Sequence, residues 1–213
     1  MCSSDLMEGL TGYALKQIEQ AAKDDRVKAV VLRINSPGGT ITASDDLHRR
    51  LSQLRNGDSA KQHDPKPLVV SMASLAASGG YYIAMPAQLL MAERTTITGS
   101  IGVYASFPNV ADLAEKYGVR LDVIKAGRVK DSGSAFHKMT PQERQVWQDM
   151  VDHAYRQFLG VVGEGRPQIK GHLEAEVLTR IVTIPESGEK LKMSRQRADG
   201  GIFTSDQALQ LGL

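Results

Sequence analysis

Ala29-Val30-Val31-Leu32-Arg33-Ile34-Asn35-Ser36-Pro37-Gly38-Gly39 joins an apolar, largely β-branched run to a sharp stop. Apolar residues without clean alternation mark a strand buried on both faces, as in a parallel sheet. Asn-Ser-Pro-Gly-Gly is a turn signal, because proline presets φ and glycine adopts conformations closed to other residues. Upstream, Tyr13 to Lys23 reads as an amphipathic helix with Ala14, Ile18, Ala21 and Ala22 on one face. Downstream, Thr42 to Leu54 reads as a second helix, and the polar stretch Asn56 to Pro67 as a loop.

The unit then repeats. Leu68-Val69-Val70 is a strand, Ser74 to Gly80 is rich in small residues, and Tyr81 to Ala84 continues as a helix. Gln88 to Ala92 and Ile101 to Tyr104 read as strands. Val110 to Tyr117 reads as a helix ended by Gly118, and Arg120 to Lys125 as another strand. This alternation predicts an α/β fold with a mostly parallel sheet flanked by helices. Thr140-Pro141-Gln142-Glu143 is a capping box with proline at the first helical position. Trp147, Met150, Val151, Ala154 and Phe158 follow at helical spacing, and such a stripe predicts core packing for Trp147 and Phe158. Gly163 to Pro167 ends that helix. Ile169 to Met193 reads as a hairpin or small excursion, a candidate insertion. Asp199-Gly200-Gly201 is a turn, and Thr204 to Leu211 a last short helix capped by Gly212, with no closing strand.

The 213 residues suit a single catalytic domain over residues 7–213. A net charge of +2 with scattered basic residues gives no reason to expect nucleic acid. Cys2 is the only cysteine, so no internal disulfide forms. No run reaches the roughly 18 apolar residues of a membrane span, and no signal-peptide pattern opens the chain. Met1 to Leu6 reads as adapter-derived rather than native sequence, and the chain as trimmed at both ends. An anchor of the parent protein would then lie outside it.

Two glycine-rich turns each follow an apolar strand, where sites collect in open parallel sheets. Ser36-Pro37-Gly38-Gly39 lets backbone approach a ligand and aim N–H groups at it, though on its own it reads better as a plain tight turn. Ala76-Ala77-Ser78-Gly79-Gly80 places a serine among small residues at a strand-to-helix turn. Its hydroxyl can be exposed, the next N–H can join an oxyanion hole, and the following helix adds the positive end of its dipole. Close helix packing is the bland alternative. A nucleophile turn and a second Gly-Gly turn together supply both halves of an acyl-transfer site.

Arg33-Ile34-Asn35-Ser36-Pro37-Gly38-Gly39, Ala76-Ala77-Ser78-Gly79-Gly80-Tyr81-Tyr82 and Thr98-Gly99-Ser100-Ile101-Gly102-Val103 together resemble the signal peptide peptidase A family. The resemblance covers about Leu10 to Arg156 and resumes at Asp199 to Leu213. It implies a crotonase- or Clp-protease-like fold and a serine endopeptidase without metal or cofactor. By the resemblance Ser78 is the nucleophile, and Gly38, Gly39 and Gly79 supply oxyanion N–H groups. Lys130, in Arg128-Val129-Lys130-Asp131-Ser132-Gly133, is the general base, and Ser100 orients it. A free lysine, with a pKa near 10.4, is protonated at neutral pH, so the role requires burial that penalises the ammonium. Lys125 and Lys138 read as solvated, and on residue chemistry alone any one lysine is usually an exposed charge.

A histidine base is the runner-up mechanism, but His48, His63, His137, His153 and His172 fall in no convincing motif. His48 and His153 read as surface residues of helices, and His137 is the histidine nearest the Lys130 loop. Neither HExxH nor CxxC is present, so a metal is not expected. At least one of Tyr81 and Tyr82 is expected to pack the helix onto the sheet. The resemblance further implies remnant signal peptides or other membrane-released peptides as substrates. It implies a homo-oligomer in which serine and lysine come from neighbouring copies, and a parent held at the inner membrane of the bacterial envelope with its catalytic domain outside the cytoplasm. The isolated fragment would be soluble. A non-catalytic or phage-type assembly relative and an acyl-CoA-processing crotonase-like enzyme are the alternatives. The Ser-Gly-Gly turn and the lysine argue against both.

Overall fold

A computed structural model describes residues 9–60 and 63–213, so the expectations for Met1 to Leu6, Cys2 included, lie outside the described residues. The elements are α1 (Leu10–Lys23), β1 (Val30–Ser36), α2 (Ile41–Asn56), β2 (Leu68–Ala77), α3 (Gly79–Tyr82), β3 (Leu89–Ala92) and β4 (Ile97–Gly99). They continue with α4 (Ala111–Lys116), α5 (Pro141–Gly165), β5 (Glu176–Thr183), β6 (Lys190–Gln196), β7 (Ile202–Thr204) and α6 (Ser205–Leu211). The chain forms two compact units. One runs up to Gly102 and resumes over Gln157–Leu213; the other is Val103–Arg156.

The main sheet lies in the first unit, in the order β1-β2-β4-β7, with β3 also paired to β2. β1, β3 and β4 all run parallel to β2, and β7 runs antiparallel to β4. The fold is therefore α/β with a mostly parallel sheet flanked by helices. β2 is the long central strand: its first half pairs with β3 and its second half with β4. Thr96 and Thr98 tie this arrangement down, each hydroxyl donating at 2.7 Å to a β2 carbonyl, Ala73 and Ala76 respectively. Leu51 and Leu54 of α2, Leu68 and Val70 of β2, and Tyr81 of α3 are almost completely enclosed. Each such side chain contributes on the order of 1.5–3 kcal/mol by leaving water. Lys66 is buried too, and its ammonium donates to the carbonyls of Ala21 at 2.6 Å and Asp24 at 2.8 Å. It closes the C-terminus of α1 from 42 residues away.

Several expectations need correction. Two-sided burial belongs to β2 rather than β1, which lies at the sheet edge with Val31 67% exposed. Arg33, on the exposed face of β1, pairs with Glu93 and donates to Ser71 Oγ. The fourth strand is Ile97–Gly99, not Ile101–Tyr104, because the backbone reverses to positive φ at Gly99 and Ser100 before Ile101 is reached. The last helix is preceded by an unexpected strand, the three-residue β7, too short to show a period; no strand follows the helix among the described residues. Ile169 to Met193, expected as a hairpin or small excursion, is indeed mostly the β5–β6 hairpin.

In the second unit Thr140 and Glu143 form the expected capping box at the start of α5. Phe107 packs against Trp147 with ring centroids 4.6 Å apart. Arg120 to Lys125 is not a strand: among the described residues it has no ladder partner, and a β-branched run without one cannot satisfy its backbone as a sheet. No helix among the described residues is long and apolar enough to cross a membrane.

Candidate active site

β2 ends in small residues, and the chain turns sharply at Ser78, whose φ is +53° and ψ −121°. Positive φ outside glycine is strained and needs surrounding structure to enforce it. Three hydrogen bonds do so. Ser78 N–H donates to Gly99 O at 2.9 Å, and Ser78 O accepts from Tyr81 N–H and Tyr82 N–H, each at 2.9 Å. The side chain is half-buried, and among the described residues its Oγ meets no hydrogen-bond partner. The following helix, α3, has only four residues. The expected macrodipole is therefore slight, and individual N–H groups must supply the positive field.

The Ser36–Gly39 turn is packed directly onto this serine. Gly38 has φ +118°, and a Cβ there would lie 2.9 Å from Gly79 N and 3.1 Å from Ser78 Oγ. A side chain at position 38 would both strain the turn and crowd the hydroxyl. A Cβ on Gly79 would collide with Ser44 Oγ and come within 3.0 Å of Gly39 N. Both glycines are thus demanded by close approach of two backbones. The three N–H groups are not equivalent. Gly38 N–H donates to Ser36 Oγ at 3.1 Å, whereas the N–H groups of Gly39 and Gly79 have no acceptor among the described residues.

Ser100 stands beside Ser78 for a reason of register. Ala77 pairs with Gly99, so each serine is the residue just past that pair. Ser100 also has positive φ, +51°, and its N–H donates to Gly201 O at 2.8 Å. Its hydroxyl donates to Gly200 O at 3.3 Å, which leaves lone pairs free to accept from an amine. The Asp199-Gly200-Gly201 turn is held by Arg195, which pairs with Asp199 and keeps that carboxyl below its usual range.

Lys130 belongs to the other unit. It lies in a run of turns, its N–H bonded to Gly127 O at 3.2 Å, and its side chain is exposed. The next residue, Asp131, pairs with Lys125, and that hydrogen bond is the chief reason its carboxyl stays below the ordinary carboxylate range. Lys125 is therefore committed to Asp131, and Lys138 to Asp112 at 2.8 Å.

Tyr81 and Tyr82 pack as expected. Burial pushes both phenols far up; Tyr82 OH donates to Asp45 at 2.8 Å, and its ring meets Phe158 at 5.1 Å. His48 is not a surface residue but is half-buried, edge-on to Tyr82 at 5.2 Å, and burial lowers its pKa. Sequence reasoning missed a cluster in the Lys130 unit, Asp131, His137 and Glu143, whose side-chain N and O atoms come within 4.8 Å of one another. The one available signal was the capping box, which names Glu143 and says nothing of His137.

Residues 60–180 match the family model described as peptidase family S49. A protein of Methanocaldococcus jannaschii, provisionally named a protease, is 35% identical over 94% of this chain and 55% of its own length. A protein of Enterococcus faecium, provisionally named signal peptide peptidase SppA, is 33% identical over 93% of this chain and 50% of its own. The chain thus spans about half the length of these relatives. Among solved structures, a ClpP1 variant from Listeria monocytogenes aligns over 95% of this chain and 80% of its own, with a TM-score of 0.47 and 14% identity.

Proposed function

Because the chain belongs to peptidase family S49, we propose that it cleaves peptide bonds through an acyl-enzyme on Ser78, with Lys130 as general base. The observation that carries this reading is the Ser78 turn: a strained serine with an unpartnered hydroxyl, flanked by two unpaired N–H groups. Ser78 Oγ attacks the carbonyl carbon while its proton passes to Lys130 Nζ. The oxyanion is met by the N–H groups of Gly79 and Gly39, and Gly38 provides the room. The tetrahedral adduct collapses, the C–N bond breaks, and the leaving amine takes the proton from Lys130. Water then hydrolyses the Ser78 ester by the same route. One oxyanion donor is worth about 10²–10³ in rate.

Lysine serves as a base only when its charged form is penalised. Lys130 is exposed in the single chain, so something must cover it. The reading assigns that cover to a second copy of the chain and to bound peptide. Ser100 then accepts an N–H from the amine and fixes its direction. Substrates are remnant signal peptides or other peptides released at a membrane, met outside the cytoplasm by an envelope-held parent. The test is labelling by a fluorophosphonate. It is expected on Ser78 and absent in Ser78→Ala; label persisting in that variant would sink the nucleophile. Mixed Ser78→Ala and Lys130→Ala chains should recover part of the activity, and no recovery in any mixture would defeat the shared dyad.

A further inference from the structure

The loop that carries Lys130 is fastened at one point by a ring. His137 Nδ1 lies 3.1 Å from Lys138 O, and its Nε2 lies 3.3 Å from Asp131 O. Both partners are carbonyl oxygens, which only accept. Both ring nitrogens must therefore carry hydrogen for both bonds to exist, and that is the imidazolium. The same Nε2 is 3.5 Å from the Asp131 carboxylate.

The surrounding charge asks for the same state. Asp131 is held by Lys125. Glu143, from the first turn of α5, is only 4% exposed and accepts from Thr140 N–H at 2.8 Å and Thr140 Oγ1 at 3.0 Å. Two carboxylates thus face one ammonium, and a protonated His137 balances them. The remaining charged groups nearby are accounted for. Lys138 is paired with Asp112 of α4, and Arg144 of α5 shares a cavity wall with His137. The Lys138 carbonyl first, then the Asp131 carbonyl and the carboxylates of Glu143 and Asp131, raise the ring's pKa, against desolvation that pulls it down. Each side chain of the cluster has a partner within the protein: Lys125 for Asp131, Thr140 for Glu143, two carbonyls for His137.

We infer that His137, as an imidazolium, is the clasp that holds the Lys130–Asp131 turn to the N-terminus of α5, so that this turn loosens when the ring loses its second proton. His137 is a positioning residue, acting through the loop and touching no substrate, and the inference rests on the reading of Lys130 as base. The sign follows from linkage. A histidine whose folded pKa is raised stabilises its surroundings fully below the ordinary imidazole value and ceases to as pH climbs through the raised one.

The test uses the full chain with histidine ring carbons labelled and His137 assigned from its loss in His137→Gln. His137 is expected to titrate above the ordinary imidazole range. Amide exchange over residues 127–134, corrected for intrinsic base catalysis, should quicken by about tenfold or more across that titration. His137→Arg, with its permanent charge, should keep the loop protected throughout, and its peptidase activity relative to wild type should rise with pH. His137→Gln should leave the loop open at every pH. The clasp is overturned if His137 titrates at or below the ordinary imidazole value. It is also overturned if His137→Arg loses protection along the wild-type curve, or if zinc restores protection at high pH where a chelator removes it. A chain with no peptidase activity at any pH defeats the Lys130 reading, while titration and exchange still decide the clasp.

Discussion

Ser78 stands at the end of a ten-residue strand, its peptide fixed by three backbone hydrogen bonds and its hydroxyl walled by two glycines. Lys130 stands in a run of turns with its side chain exposed, its own backbone held by one hydrogen bond, to Gly127 O. The two places divide the labour of the proposed reaction. A nucleophile must be aimed before the substrate arrives, because geometry supplies most of its advantage. A lysine base needs its charged form penalised, and the exposed Lys130 still awaits that cover. Finished geometry at one end and unfinished burial at the other are what a chemistry switched on by association would need.

That contrast can be broken first at Ser78. Ser78→Ala should lower peptide hydrolysis by at least about 10³-fold and abolish fluorophosphonate labelling, with unchanged circular dichroism. Gly38→Ala attacks the aim without touching the nucleophile. It should reduce kcat/KM by about 10²-fold through crowding of Ser78. Unfolding should show a loss of about 1–3 kcal/mol from strain at φ +118°. Full activity in this variant would mean that the two turns do not form one site.

Lys66 sharpens the comparison, being a lysine that the fold has already buried. Lys66→Met removes the ammonium from the Ala21 carbonyl and leaves Asp24 O with the Val27 N–H alone, which should cost about 1–3 kcal/mol in denaturant unfolding, while labelling of Ser78 survives. The smallest effect belongs to His48. Burial depresses its folded pKa, so its neutral ring is tolerated above the ordinary imidazole range and stability falls as pH drops below it. Thermal unfolding from pH 8 to pH 5 should decline less in His48→Phe than in wild type; identical slopes would place the acid sensitivity elsewhere.

The Ser78 turn was legible because its signal is local. Small residues after an apolar strand, with adjacent glycines, state both the turn and its crowding. The strand count was harder. β4 and β7 have three residues each, so no period could show, and β4 ends where Gly99 and Ser100 take positive φ, which reads in sequence as one more glycine turn. Arg120 to Lys125 failed in the opposite direction: β-branched residues supplied propensity, but a strand also needs a neighbour, and propensity carries no information about one. His137 was invisible because its role depends on two carbonyls, and every residue has a carbonyl.

Ser78 is also a position where folding and chemistry want different residues. Glycine would accept φ +53° without strain, keep every backbone bond of the turn, and remove the hydroxyl. On the proposed reading of Ser78 as nucleophile, a Ser78→Gly descendant would therefore be relieved of its strain and chemically silent. For this architecture, the slide from enzyme to inert building block runs downhill in free energy, and only selection on the reaction itself can hold the serine in place.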